Sequence, residues 1–151
     1  MGEGLLPVAA AAWREHPEVR IYRPVRGVVD LVLEHRLDPV TVATELQSGM
    51  RRVEQQLRWS GMKADALAAL PEQAGRTVSR LLGFRNTQAM REVARAAEAT
   101  LRAAYPARTA DAVSALRGET TWPGSSVVWM RLEGGIAMLL DAPPRGVALG
   151  R

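Results

Sequence analysis

The sequence predicts a mostly α fold: a small helical bundle with one or two helix-turn-helix units and a C-terminal β-hairpin. Three observations carry that prediction. Long stretches place apolar residues at the i, i+3, i+4 spacing of an amphipathic helix. Proline and glycine fall where helices start and stop. Past residue 118 the pattern changes to two short apolar runs around Glu133-Gly134-Gly135, the form of a hairpin. A chain of 151 residues can bury a core without disulfide or metal staples. It reads as a single domain over 1–151, with a lead-in (1–22), a helical region (23–117), a loop and hairpin (118–142) and a tail (143–151).

Taken in order, Leu5 to Glu15 reads as a short Ala-rich helix. His16-Pro17 ends it, because the residue before proline is pushed out of the α region. After Pro24, Val25, Val28, Val29, Val32 and Leu33 form one helical stripe, although β-branched valines keep a strand open as the alternative for 25–33. Asp38-Pro39 supplies an N-cap and a first-turn proline for a helix to residue 47. A second helix, 50–60, turns Met50, Val53 and Leu57 inward and Arg51, Arg52, Glu54, Gln55 and Arg58 outward, and closes at Gly61. Residues 62–70 form a short helix stopped by Pro71. Glu72–Leu82 leads into a turn at Gly83-Phe84, and a longer helix runs from about Thr87 to Ala104. Thr109–Leu116 is the last helix, and Val127–Leu132 and Ile136–Leu140 are the hairpin strands.

Charge is unevenly distributed. The formal total is +4. Residues 1–48 carry net −2, 49–104 net +5 and 105–151 net +1. An excess concentrated in one segment suits a phosphate-facing surface, and a solvated helix face tolerates it equally. There is no cysteine, hence neither disulfide nor thiolate metal site. The N-terminus lacks a basic n-region, and no apolar run reaches the length of a membrane span. The expected location is cytoplasmic.

Enzymatic chemistry is not expected. His16 and His35 lie in different segments without metal-ligand spacing, Ser125-Ser126 lack a nearby His, and no phosphate loop occurs. Nothing in the sequence singles out a pair of carboxylates. No cofactor is expected.

The stretch that points to function is Thr77–Arg95, TVSRLLGFRNTQAMREVAR. It has an apolar residue, a small residue, Leu82-Gly83-Phe84, a polar stretch, and a second run anchored by Ala89, Met90, Val93 and Ala94. This resembles the second helix-turn-helix of AraC/XylS-type transcription regulators. Residues 42–61 are similar to that family's first one, departing from it at Gln47 and Ser48. The resemblance implies DNA binding, with a helix in the major groove. Arg85, Thr87, Gln88 and Arg91 would then reach base edges, with Asn86 as N-cap. Arg51, Arg52, Gln55 and Arg58 would form the face of the first unit, and Arg76, Arg80 and Arg95 would hold phosphates. Partners expected on this reading are nucleic acid, DNA before RNA. A second copy or a protein partner would dock through the apolar hairpin, at Trp122, Val128, Trp129, Met130 and Met138. The alternative is a helical assembly subunit using that hairpin alone. Trp59 either stacks on a nucleotide or packs on the core.

Overall fold

The computed structural model describes residues 11–151. It is a mixed α/β protein and corrects the expected helical bundle. One six-stranded sheet runs through it: β1 (Trp13–Ile21), β2 (Gly27–His35), β3 (Val40–Gln47), β4 (Thr77–Arg85), β5 (Ser126–Glu133) and β6 (Ile136–Leu139). The spatial order is the sequence order. The β1/β2, β2/β3 and β5/β6 pairs are antiparallel, whereas β3/β4 and β4/β5 are parallel. Each parallel pair is joined by a helical crossover. Helix α1 (Val53–Ala68) links β3 to β4, and α2 (Gln88–Ala96), α3 (Glu98–Ala104) and α4 (Thr109–Leu116) link β4 to β5.

Helices cover both faces of the sheet. On one face, Leu31, Leu33, Val42, Leu81 and Val128 pack with Ala112, Val113 and Leu116 of α4 and with Trp13. On the other, Val32 and Ala43 meet Ala64, Ala66 and Leu67 of α1. Beside them Leu82, Phe84, Val127 and Trp129 meet Leu57 of α1, Met90 and Ala94 of α2 and Leu101 of α3. Glycine in the middle of β4 has a packing reason. A Cβ on Gly83 would lie 2.9 Å from a Leu46 methyl and 3.0 Å from the Met130 methyl.

This arrangement explains why the helical prediction failed. A parallel strand buried on both faces reads as a nearly continuous apolar run instead of an alternating one. Thr77–Arg85 is such a strand, so Leu81-Leu82-Gly83-Phe84, expected as a helix end and turn, is the middle of β4. The valines of 25–33 and residues 39–47, expected to be helical, form β2 and β3, and the strand alternative for the valine run holds. The helix-turn-helix geometry is therefore absent from both 42–61 and 77–95. The first is a strand, a loop and the start of α1. The second is a strand, a loop and α2. Helix α1 also continues through Gly61 to Ala68, so Gly61 is no cap. The expected helix from Leu5 extends outside the described residues, and its end, Trp13–Glu15, lies in β1. The hairpin and Thr109–Leu116 form as expected. The final residues are anchored: Val147 and Leu149 are buried, and the Arg151 guanidinium donates to the carbonyls of Pro143, Pro144 and Val147.

Candidate functional site

The residues expected to touch nucleic acid separate into three groups. Arg51, Arg52, Gln55 and Arg58 line one pocket. Arg76 and Arg80 are built into the fold. Arg76 donates to Thr41 Oγ1 and to the carbonyls of His35 and Val40. Arg80 donates to the Leu57 carbonyl and lies over the Tyr105 ring. The third group surrounds α2 and is tied up locally. Thr87, and not Asn86, is the N-cap, accepting from Met90 N–H. Arg91 donates to Asn86, Gln88 to Glu92 and Arg95 to the Gly146 carbonyl, while Arg85 is exposed at the end of β4. Neither Arg85 nor Arg91 reaches the pocket that holds Arg51 and Arg52. Of the expected hairpin interface, Val128, Trp129 and Met130 are buried in the core. Trp122 packs edge-on against Trp13, and Met138 is exposed.

The pocket has a volume of about 680 Å³ and lies on the α1 side of the sheet, at the carboxyl end of β3. In open α/β sheets that end of the parallel strands is where ligands are held. The β2/β3 ladder runs from Glu34–Thr41 to Leu31–Thr44 and goes no further. One step on, side chains take over from backbone. The Glu45 carboxylate accepts from Asp30 N–H at 3.1 Å, and the Asp30 carboxylate accepts from Leu46 N–H at 2.9 Å. The two strands part at this point with their N–H groups satisfied, and the two carboxylates stand side by side in the opening. Lys63, from the third turn of α1, reaches in, forms an ion pair with Glu45 and donates to the Val28 carbonyl at 2.8 Å.

The electrostatics are those of a desolvated cluster. Burial raises the Glu45 pKa, and the hydrogen bond and charge of Lys63 only partly offset this. Arg51 and Arg52, just before α1, and Arg58 on its second turn rim the opening. Two polar atoms of the lining lack hydrogen-bond partners: Gln56 Oε1 and Tyr105 Oη, the latter on a side chain only 1% exposed. The Tyr105 hydroxyl faces Ser60 without standard hydrogen-bond geometry, and burial raises its pKa. Buried polar atoms without a partner call for an explanation, and both of these border the pocket. The histidines lie elsewhere. His16 pairs with Glu34, and His35 Nδ1 accepts from the backbone of Leu37 and Asp38.

Comparison with protein-family models, curated proteins and solved structures finds no match. The reading of the site therefore rests on its own geometry. Asp30, Glu45 and Lys63 were not singled out by the sequence, yet a signal is present. Once GVVDLVL and VTVATEL are taken as strands, each carries one acid, Asp30 and Glu45, with apolar residues on either side along the strand. An ionised group in such a run needs a partner or a task.

Proposed function

We propose that this protein binds nucleic acid at the Asp30–Glu45–Lys63 pocket and hydrolyses its phosphodiester bonds with a divalent cation of the Mg²⁺ class. The observation that carries this reading is the opening between β2 and β3. It gathers two carboxylates and a buried ammonium in one cleft rimmed by arginines. Mg²⁺ takes one or two protein carboxylates and completes its octahedron with water and substrate phosphate oxygens. The donor set fits that habit. Asp30 and Glu45 supply two carboxylates, and among the described residues no group of three or more His, Cys, Asp and Glu forms a cage of its own. One Asp30 oxygen accepts from Leu46, and the other makes no hydrogen bond among the described residues.

The cation would polarise the phosphate and activate a water. The chain's own residues do the remainder. Arg51, Arg52 and Arg58 draw in and seat the polyanion. Glu45 and Asp30 concentrate negative charge where the cation must sit. Lys63 holds positive charge beside the phosphoryl oxygens, in a partly desolvated site where it counts for more than in water. The water oxygen bonds to phosphorus, the bond from phosphorus to one sugar oxygen breaks, and the water's proton ends on that leaving oxygen.

The test is incubation of labelled single- and double-stranded DNA and RNA with the protein in Mg²⁺ or Mn²⁺, beside a chelator control. Cleavage that needs the cation and is lost in Asp30→Asn and Glu45→Gln supports the reading. Intact substrates throughout, or cleavage that survives both substitutions, overturn it. No helix among the described residues is long and apolar enough to cross a bilayer.

A further inference from the structure

Trp59 is 41% exposed and lines the same pocket, unlike Trp13 and Trp129, which are fully buried. It is held in place. The Lys63 ammonium lies 5.9 Å from its ring centroid. A Cβ on Gly27 would come within 2.9 Å of Trp59 Cζ2 and 3.0 Å of Lys63 Cδ, so the start of β2 leaves room for both side chains. Met62, one turn along α1 and on the same helix face, is also exposed and lines the pocket. The result is an exposed aromatic and apolar patch lining the same pocket as the arginines.

We propose that Trp59 is a stacking platform for an unpaired nucleobase, so that the site takes single-stranded nucleic acid in preference to a duplex. The proposal rests on the phosphodiester reading above. A positively charged groove combined with an exposed aromatic face is how proteins bind single strands without regard to sequence. The spacing suits it. Lys63 lies beside the Trp59 ring and pairs with Glu45, so a base on the ring would have its backbone on the side of the carboxylates. A base inside a duplex has both faces covered and must be unstacked before it can use the ring, at a cost of about a few kcal/mol. A single strand offers its bases freely.

The experiment measures binding of a fluorescently labelled, mixed-sequence DNA oligonucleotide, single-stranded or annealed to its complement, with Ca²⁺ in place of Mg²⁺. Wild type should bind the single strand more tightly. Trp59→Ala should weaken single-strand binding about 5- to 100-fold and leave duplex binding nearly unchanged. Trp59→Phe should retain single-strand affinity, and Trp59→Leu, which keeps apolar bulk without a ring, should not. Equal single-strand affinity in wild type and Trp59→Leu overturns the platform. So does a loss shared equally by single strand and duplex. Arg51→Ala/Arg52→Ala keeps the two readings apart. If it weakens binding and steepens no preference, while the Trp59 variants change nothing, the platform falls and the phosphodiester reading stands. If no nucleic acid binds the wild type at low salt, both fall.

Discussion

Glu34 and Glu45 lie on the same face of neighbouring strands, with the buried pair Val32 and Ala43 between them in the β2/β3 ladder. Their surroundings differ in every respect that matters. Glu34 accepts from Gln73 Nε2 at 3.0 Å and pairs with His16 at 2.8 Å; Gln73 in turn accepts from Thr41, which accepts from Arg76. Burial pushes its carboxyl up, but the Gln73 and His16 hydrogen bonds and the charges of His16 and Arg76 outweigh it, and the pKa is lowered. Glu45 is more deeply buried, has Lys63 as its cationic partner, and its pKa is raised. The first carboxylate closes a network that ties strands to the turn after α1. The second pairs with Lys63 in a desolvated setting and opens onto a cavity. Strained electrostatics of this kind cluster where chemistry is done.

The sharpest way to break the contrast is activity. Second-sphere groups around a metal carry roughly 10- to 100-fold in affinity or rate, and a direct ligand carries more. Glu45→Gln and Asp30→Asn are expected to lower cation-dependent cleavage by about 10³-fold or more. Glu34→Gln, on the far side of the Val32–Ala43 layer, should leave the rate within about a factor of three. Initial rates on one labelled oligonucleotide decide it. Equal losses at the two glutamates would mean that Glu45 is as structural as Glu34.

Stability gives the next largest effect. Removing one partner of a buried ion pair leaves an uncompensated charge, so Lys63→Met should cost about 3–5 kcal/mol in urea unfolding at neutral pH. Replacing both partners should not. Glu45→Leu/Lys63→Met is expected within about 1 kcal/mol of wild type, or above it, because apolar packing commonly matches a buried pair. Recovery in the double variant would mean the pair is retained for something other than stability. At the other network, Arg76→Met should cost about 1.5–3 kcal/mol through its charge-assisted bonds to Thr41 and backbone carbonyls, with no double variant to rescue it.

The contrast was poorly legible in the sequence. Arg51, Arg52 and Arg58, at and just before the start of α1, were singled out and do line the pocket, but for a reason other than the expected one: they rim a cleft next to β3, and no recognition helix presents them. The acids were missed because Asp30 and Glu45 are fifteen residues apart and meet only when β2 and β3 pair. The strands themselves were hidden by burial on both faces. Leu81-Leu82-Gly83-Phe84 satisfies a helical stripe as readily as a central strand, and Val42, Ala43 and Leu46 do likewise. Local signals survived where no such ambiguity existed. Gly134-Gly135 adopts positive φ in the hairpin turn, and Thr109–Leu116 forms a helix.

Titration should separate the two glutamates by sign. Glu34 has a folded-state pKa below its ordinary 4.5, so its contribution is complete above 4.5 and is lost as pH falls through the lowered value. Glu45 has a folded-state pKa above 4.5, so its contribution is present below 4.5 and is lost as pH rises through the raised value. Compared with wild type, Glu34→Gln should flatten the acid limb of a stability–pH curve. Glu45→Gln should flatten the decline above 4.5. Two variants that flatten the same limb would refute the assignment.

The smallest expected effect lies at the edge of the Glu34 network. His16 Nε2 meets Glu34 at 2.8 Å, but the histidine side chain is 42% exposed and the pair is screened by solvent. Exposed pairs of this type contribute about 0–1 kcal/mol. Glu34 also keeps its hydrogen bond from Gln73 and the field of Arg76 when the imidazole is removed. His16→Ala should therefore cost no more than about 1 kcal/mol, well under the Arg76→Met loss. Gln73→Ala should cost more than His16→Ala, because it leaves the buried Thr41 hydroxyl proton without its acceptor and one Glu34 oxygen without its donor. If the order were reversed, the network would be organised around the surface histidine. The present geometry instead runs it inward, from Glu34 through Gln73 to Thr41 and Arg76, which is why this glutamate is quiet and its neighbour on β3 is not.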